Sequence, residues 1–137
     1  MNGFGAVRRR GALVLAGIAS LALPASAASP SSDALDTLEK GRWQVRERDG
    51  ATPPASVCIG DPAMLLRFEH RDDRSCSMEV LASGAASKTV QYSCQGSGFG
   101  HSHLRVETPR SARIDSQGFS RAMPFSYRLE ARRTGPC

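Results

Sequence analysis

The sequence predicts an all-β fold, a small antiparallel meander of about eight strands, barrel- or sandwich-like, with one short helix and two disulfides. Two patterns favour this class. Short segments alternate apolar and polar residues with a period of two, and turns rich in Gly and Ser separate them. No regular alternation of strands with long helices is present, which argues against a parallel α/β sheet.

The segment from Cys76 to Cys94 is the clearest predicted β-hairpin. Both arms alternate apolar and polar residues, and the small residues between them allow the chain to reverse. Folding the arms symmetrically places Met78 opposite Tyr92 and Cys76 opposite Cys94. Facing residues share one side of a sheet, so both cysteines are expected on the side that buries Tyr92.

Other segments complete the predicted domain. Strands are expected at residues 42–46, 55–59, 101–107 and 125–132, and Asp61 and Pro62 are the N-cap and first residue of the short helix. A small hairpin is expected from 112–115 and 119–122, turning at 115–118. The polar run 69–74 is interpreted as a solvated loop, and the Gly-rich segment 95–100 as a bend. The predicted core consists of Trp43, Val57, Val80, Val90, Tyr92, Leu104, Val106, Phe125, Tyr127 and Leu129.

Residues 1–27 have the three parts of a secretory signal peptide. Arg8, Arg9 and Arg10 precede a short apolar run, and a small-x-small cleavage site ends at Ala27. The expected mature chain has a flexible tail at 28–37, a single domain at 38–137 and no transmembrane segment, and it is periplasmic or secreted. The export route, general secretory or twin-arginine, stays open. Losing three arginines lowers the formal net charge from +5 to +2, which argues against nucleic-acid binding.

All four cysteines lie beyond the predicted leader, which favours two disulfides in an oxidising compartment. A hairpin bridge from Cys76 to Cys94 would leave Cys58 for Cys137. We favour Cys58–Cys76 with Cys94–Cys137, because these bonds would fix the short helix and the chain terminus, which the hairpin itself does not hold.

The order of these features resembles the bacterial domain-of-unknown-function 3617 family of small exported proteins. The resemblance is carried by Gly41-Arg42-Trp43-Gln44-Val45, by Cys58 before the short helix, by the hairpin between cysteines with its Gly-rich bend, and by the terminal Gly135-Pro136-Cys137. It implies an envelope location and a shared fold, and it supplies no activity and no catalytic residues.

The chain offers little chemistry beyond this scaffold. His101 and His103 would project to the same side of a strand and could bind copper or zinc together with His70 or Glu107. A serine-nucleophile motif is absent from the sequence, and the glutamates are scattered. We therefore expect a non-catalytic binding or envelope-associated module without a cofactor, whose partner is a protein or an apolar small molecule. The alternative is a metal-handling or hydrolytic protein that uses His101 and His103.

Overall fold

A computed structural model describes residues 32–50 and 52–137. The predicted signal peptide and the first part of the predicted tail lie outside the described residues. The elements are η1 (Ala34–Thr37), β1 (Gly41–Glu47), β2 (Ala55–Ile59), η2 (Pro62–His70), β3 (Cys76–Ser83), β4 (Ser87–Cys94), β5 (Gly98–Thr108), β6 (Ser111–Ser120) and β7 (Met123–Gly135), where η marks a short 3₁₀ helix. The predicted all-β antiparallel fold is confirmed.

The strands form one antiparallel sheet in the order β2-β1-β7-β6-β5-β4-β3. Strands β3 to β7 are a continuous meander, and the β1–β2 hairpin joins it through the pairing of β1 with β7. The described sheet has seven strands and two open edges, at β2 and β3, instead of the closed or folded arrangement of about eight strands that the pattern predicts.

One face of this sheet carries the core. Helix η2 links the edge strands β2 and β3 and packs across the sheet between them, and η1 packs beside it. Beneath the two helices lie fully buried side chains, including Trp43, Tyr92, Leu104 and Ile114. We call this side the covered face. The opposite side, the open face, meets no helix of the described chain.

Helix η2 begins as predicted. The Asp61 carboxylate accepts a hydrogen bond from the Ala63 amide at 2.9 Å, and Pro62 occupies the first helical position. Leu65 and Leu66 are fully buried against the sheet. The apolar side of a short, locally capped helix therefore covers the core.

The predicted tail is wrong at its C-terminal end. Asp33 caps η1 through a bond from the Leu35 amide, and Ala34 is fully buried. Lys88 of β4 donates a hydrogen bond to the Asp33 carboxylate and forms an ion pair with it. The hydrogen bond is the main reason that the pKa of Asp33 lies below its usual range. Order in the described chain therefore begins before Leu38.

The favoured disulfide pairing is also wrong, because the bonds are Cys58–Cys137 and Cys76–Cys94. Cys76 lies directly opposite Cys94 in the β3–β4 register, with Cα atoms 3.9 Å apart. Cys58 and Cys137 flank β1 from opposite sides, with Cα atoms 5.7 Å apart. Cys58 and Cys76 belong to opposite edges of the sheet, whereas a bridge needs Cα atoms within about 7 Å.

Two further expectations fail. Residues 112–122 do not form a small hairpin, because β6 runs without a break through the predicted turn. The chain reverses instead after β6, at Arg121 and Ala122, which have φ values of 49° and 65°. Val80 is 51% exposed. It lies on the edge strand β3, beyond the reach of the helices, although its partner Val90 is fully buried. Of the other nine predicted core residues, five are buried and four are partly buried.

Candidate functional site

The open face is organised in rows that run across the strands. Side chains at alternate positions of each strand point to this face, and the antiparallel register sets them side by side. Neighbouring rows are two residues apart along a strand, or about 7 Å. Row by row, the chemistry changes from aromatic to polar to charged.

The aromatic row consists of Phe99 and Phe119. These residues are paired in the β5–β6 register, and their ring centroids are 5.4 Å apart. Phe99 is 49% exposed and Phe119 is 44% exposed, so the pair leaves about half of its surface to solvent. An exposed apolar pair that is bordered by polar side chains is a candidate binding surface.

The next row is polar and begins at the exposed Glu79 of β3, which lies opposite Gln91. His101 of β5 lies between Gln91 of β4 and Gln117 of β6, and Ser126 of β7 continues the row. All four residues are exposed. Their side chains supply hydrogen-bond donors and acceptors without a carboxylate or a guanidinium group.

A groove lies between these two rows. Its volume is about 440 Å³, and its walls include Phe99 and Phe119 on one side and Gln91, His101 and Gln117 on the other. We call it the aromatic–amide groove. A second concavity of about 490 Å³ adjoins it and adds His103, Asp115 and Arg128. Both volumes are in the range of small-molecule sites.

The charged side chains of β7 that lie beyond the groove form ion pairs. Glu130 of β7 pairs with both Arg46 and Arg132 at 2.6 Å. Hydrogen bonds from these two guanidinium groups, that from Arg132 first, hold the pKa of the Glu130 carboxyl below its usual range. Arg128 pairs with Asp49 at 3.1 Å. The arginines of β7 that face this side are therefore ion-paired.

His101 and His103 lie on the open face, as the strand pattern predicts. The His103 ring is fixed by a 2.8 Å hydrogen bond between its Nδ1 and the Thr89 hydroxyl. The two proposed third ligands do not join them. His70 is buried on the covered face, and Glu107 pairs with Arg113 at 2.7 Å.

In the part of the chain that the structure describes, the one group of three ligand atoms close enough to share a metal consists of Asp73, Cys76 and Cys94. Two of these residues are joined in a disulfide, so they are not thiolate ligands. A metal bound by His101 and His103 would need further ligands from solvent or from a bound molecule. The metal pair stays a prediction.

A second polar cluster lies on the covered face, and the sequence reading missed it. His70 is only 5% exposed, although it belongs to the run predicted as a solvated loop. Its Nδ1 lies 3.2 Å from the Tyr92 hydroxyl, and its Nε2 lies 3.1 Å from the Ser97 carbonyl oxygen. A carbonyl oxygen only accepts, so in the neutral ring Nε2 donates to Ser97 and Nδ1 accepts from Tyr92.

The absence of a side chain at one glycine leaves room for the Tyr92 ring of this cluster. Gly100 lies beside Tyr92 in the β4–β5 register, and a Cβ atom there would lie 2.5 Å from the Tyr92 hydroxyl oxygen. The phenol therefore leans across β5 toward His70. No local sequence signal marks this requirement, because it depends on which strand neighbours which.

Both tyrosines of the chain belong to this buried region. Burial raises the pKa of the Tyr92 phenol to about 12, and burial also raises the pKa of Tyr127 well above its usual range. Within the described residues, the Tyr127 hydroxyl is shielded from solvent and lacks a hydrogen-bond partner. Both phenols are therefore held in the neutral form.

The same region brings together Ser97, His70 and Asp73 without forming a catalytic triad. The Ser97 hydroxyl donates to the Asp73 carboxylate, while the Ser97 carbonyl, and not its hydroxyl, contacts His70. Hydrogen bonds from Ser75 and then Ser97 lower the pKa of Asp73 to about 2. A triad requires the imidazole to accept the serine proton, and here both ring nitrogens have other partners. The cluster connects η2 to the bend before β5.

No helix of the described chain is long and apolar enough to span a membrane. No protein-family model matches this chain, and no curated protein or solved structure matches it significantly.

Proposed function

We propose that this chain is a non-catalytic binding domain of the bacterial cell envelope and that its ligand occupies the aromatic–amide groove. The observation that carries the proposal is the contrast between the two faces of the sheet. The covered face buries most of its apolar side chains under η1 and η2, whereas the open face exposes two phenylalanines beside a row of polar side chains. A concave site with an apolar wall and a few converging polar groups is the usual form of a small-molecule site.

The side-chain groups that line the groove favour a binding role over a catalytic one. The groove offers amide, imidazole and hydroxyl groups. His70, the histidine best placed beside a serine, has both ring nitrogens engaged by Tyr92 and Ser97. A binding role needs complementary shape and hydrogen bonding alone, whereas a hydrolase also needs an activated nucleophile.

An envelope location has two supports. The two disulfides are compatible with an oxidising compartment outside the cytoplasm. The sequence pattern of residues 1–27 predicts export, and N-terminal sequencing of the exported protein is expected to start at Ala28. Exported protein that still carries Met1 would contradict the cleavage site. The resemblance to the domain-of-unknown-function 3617 family remains a hypothesis.

The ligand site is tested by NMR with a library of neutral small molecules of mixed polarity. Binding is expected to shift the resonances of Gln91, His101 and Gln117, and to leave those of Leu65 and Leu66 on the covered face unchanged. A protein with Phe99→Ser and Phe119→Ser is expected to lose these shifts while keeping a dispersed spectrum. Shifts confined to the covered face would refute the groove as the site.

The metal-handling alternative has one observation in its favour, which is that His101 and His103 project from β5 to the same face. Calorimetric titration with Zn²⁺ and Cu²⁺, repeated on the variant with His101→Ala and His103→Ala, decides it. Binding with a Kd below about 1 μM that disappears in the variant would favour the alternative.

A further inference from the structure

The walls of the aromatic–amide groove indicate the chemical class of its ligand, provided that the groove is the binding site proposed above. Gln91, His101, Gln117 and Ser126 all carry groups that donate and accept hydrogen bonds. A ligand that satisfies them must itself present several groups that both donate and accept. Hydroxyl groups do so, whereas carboxylates and phosphates at neutral pH mainly accept.

The electrostatic surroundings favour an uncharged ligand. The residues that line the groove contain no carboxylate, ammonium or guanidinium group, and the charge at the β3 end of the polar row is the carboxylate of Glu79, opposite Gln91. In the adjoining concavity, Asp115 lies directly opposite Arg128 in the β6–β7 register, so the negative charge of one offsets the positive charge of the other. An anionic ligand would meet no unpaired cation in the groove, and its desolvation would go uncompensated.

The opposite wall favours a ligand with an apolar flat side. The rings of Phe99 and Phe119 are tilted by 35° to each other and are both about half exposed. The negative face of an aromatic ring attracts weakly positive C–H groups. A molecule that places C–H groups against these rings can turn its hydroxyl groups toward the polar row, about 7 Å away along the strands.

The length of the polar row suits a ligand made of several small rings in a chain. The polar row crosses β4, β5, β6 and β7, which are separated by three inter-strand spacings, or about 14 Å in all. A purely apolar molecule of this length would cover the exposed amides of Gln91 and Gln117 and leave them without hydrogen-bond partners, which costs binding free energy for each amide.

We propose that the aromatic–amide groove binds an uncharged oligosaccharide of pyranose rings. The C–H face of one ring packs on Phe99 and Phe119, and the hydroxyl groups of the chain exchange hydrogen bonds with Gln91, His101 and Gln117. Envelope proteins meet such chains outside the cytoplasm, which agrees with the location proposed above.

The test uses oxidised, exported protein labelled with ¹⁵N. The probes are maltohexaose, cellohexaose and chitohexaose, with hexagalacturonate as the anionic comparison and N-phenyl-1-naphthylamine as the apolar comparison. The side-chain NH₂ resonances of Gln91 and Gln117 report on the groove. Those of Gln44, which is exposed on the open face of β1 outside the groove, report on non-specific effects.

At least one neutral hexasaccharide is expected to shift the amides of Gln91 and Gln117 but not that of Gln44. Phe99→Ala and Gln117→Ala are each expected to weaken this binding about tenfold, and the matched control Gln44→Ala less than about twofold. All three positions are exposed, so the variants are expected to keep the dispersed spectrum of the parent protein.

The outcomes separate the two proposals. If the apolar probe shifts the groove amides and no neutral saccharide does so up to about 10 mM, the oligosaccharide assignment is wrong and the groove stands as a binding site. Tighter binding of hexagalacturonate than of the neutral chains would also overturn the assignment. If no probe shifts the groove amides, both the saccharide assignment and the proposed site fail. Equal weakening by Gln44→Ala and Gln117→Ala would place the binding elsewhere.

Discussion

Removal of the Cys58–Cys137 bond is expected to destabilise the protein strongly although both cysteines are exposed. The bond joins residues 79 positions apart. The chain-entropy model gives the loss of such a cross-link a cost of about 4.5 kcal/mol, because the unfolded chain regains freedom. A surface substitution by itself costs no more than about 0.5 kcal/mol. A variant with Cys58→Ala and Cys137→Ala is therefore expected to lose roughly 4.5 kcal/mol of unfolding free energy, nearly all of it from the lost cross-link.

Urea unfolding of the oxidised protein measures this effect and also its origin. An effect on the unfolded state increases the surface exposed on unfolding, so the m-value is expected to rise. The rise is expected to be smaller for Cys76→Ala with Cys94→Ala, since that bond spans only 18 positions. Ser56→Ala, on the same strand and also exposed, is the control. A loss below about 1 kcal/mol with an unchanged m-value would refute the reasoning.

Two further predictions concern the buried cluster. Gly100→Ala is expected to cost about 1–3 kcal/mol by overpacking against Tyr92, and Gly60→Ala, where a Cβ meets no atom within 4 Å, is expected to be neutral in the same denaturation assay. Equal effects of the two changes would contradict the close contact. Tyr92 is expected to ionise near pH 12 in the ultraviolet absorbance of tyrosinate. Because its folded pKa is raised, its contribution to stability is complete below about pH 10 and is lost as the pH rises through about 12. Tyrosinate absorbance at pH 10 with the fold intact would refute this burial.

The register of the Cys76–Cys94 hairpin as far as Val80 could be predicted from the sequence, whereas the bulge after Val80, the exposure of Val80 and the bond between the two cysteines were not. Its alternation, its central turn and its register are local, and the structure places Met78 opposite Tyr92 and Cys76 opposite Cys94 as expected. The cap of η2 was predictable for the same reason, because Asp61 bonds a backbone amide two residues away. In each case the interacting groups are close in the chain.

Strand β6 shows where local reasoning fails. Ser116, Gln117 and Gly118 have the composition of a turn, yet they lie in the middle of a ten-residue strand. Ser116 bonds the Ser102 hydroxyl of β5 at 2.6 Å, and a Cβ atom at Gly118 would lie 2.1 Å from the Phe99 carbonyl oxygen. Both constraints come from the neighbouring strand. The reversal falls instead on Arg121 and Ala122, which seldom adopt positive φ.

The candidate site also has one part that the sequence predicts and another that depends on strand pairing. The position of His101 on a solvated strand face follows from its spacing, whereas its neighbours Gln91 and Gln117 follow from pairings with β4 and β6. The burial of His70 was missed because its partners Tyr92 and Ser97 are more than 20 residues away. The composition of its own segment is that of a solvated loop.

The sequence by itself determined the strand class, the capped helix, the central hairpin and the presence of two disulfides. The tertiary structure alone decided that β1 pairs with β7, that Cys58 meets Cys137, and that one face of the sheet stays open. The physical reason is that a period of two assigns side chains to two faces without saying which face is covered. Which face is covered depends on where η2 crosses the sheet, and that position is set by packing between residues that are far apart in the chain.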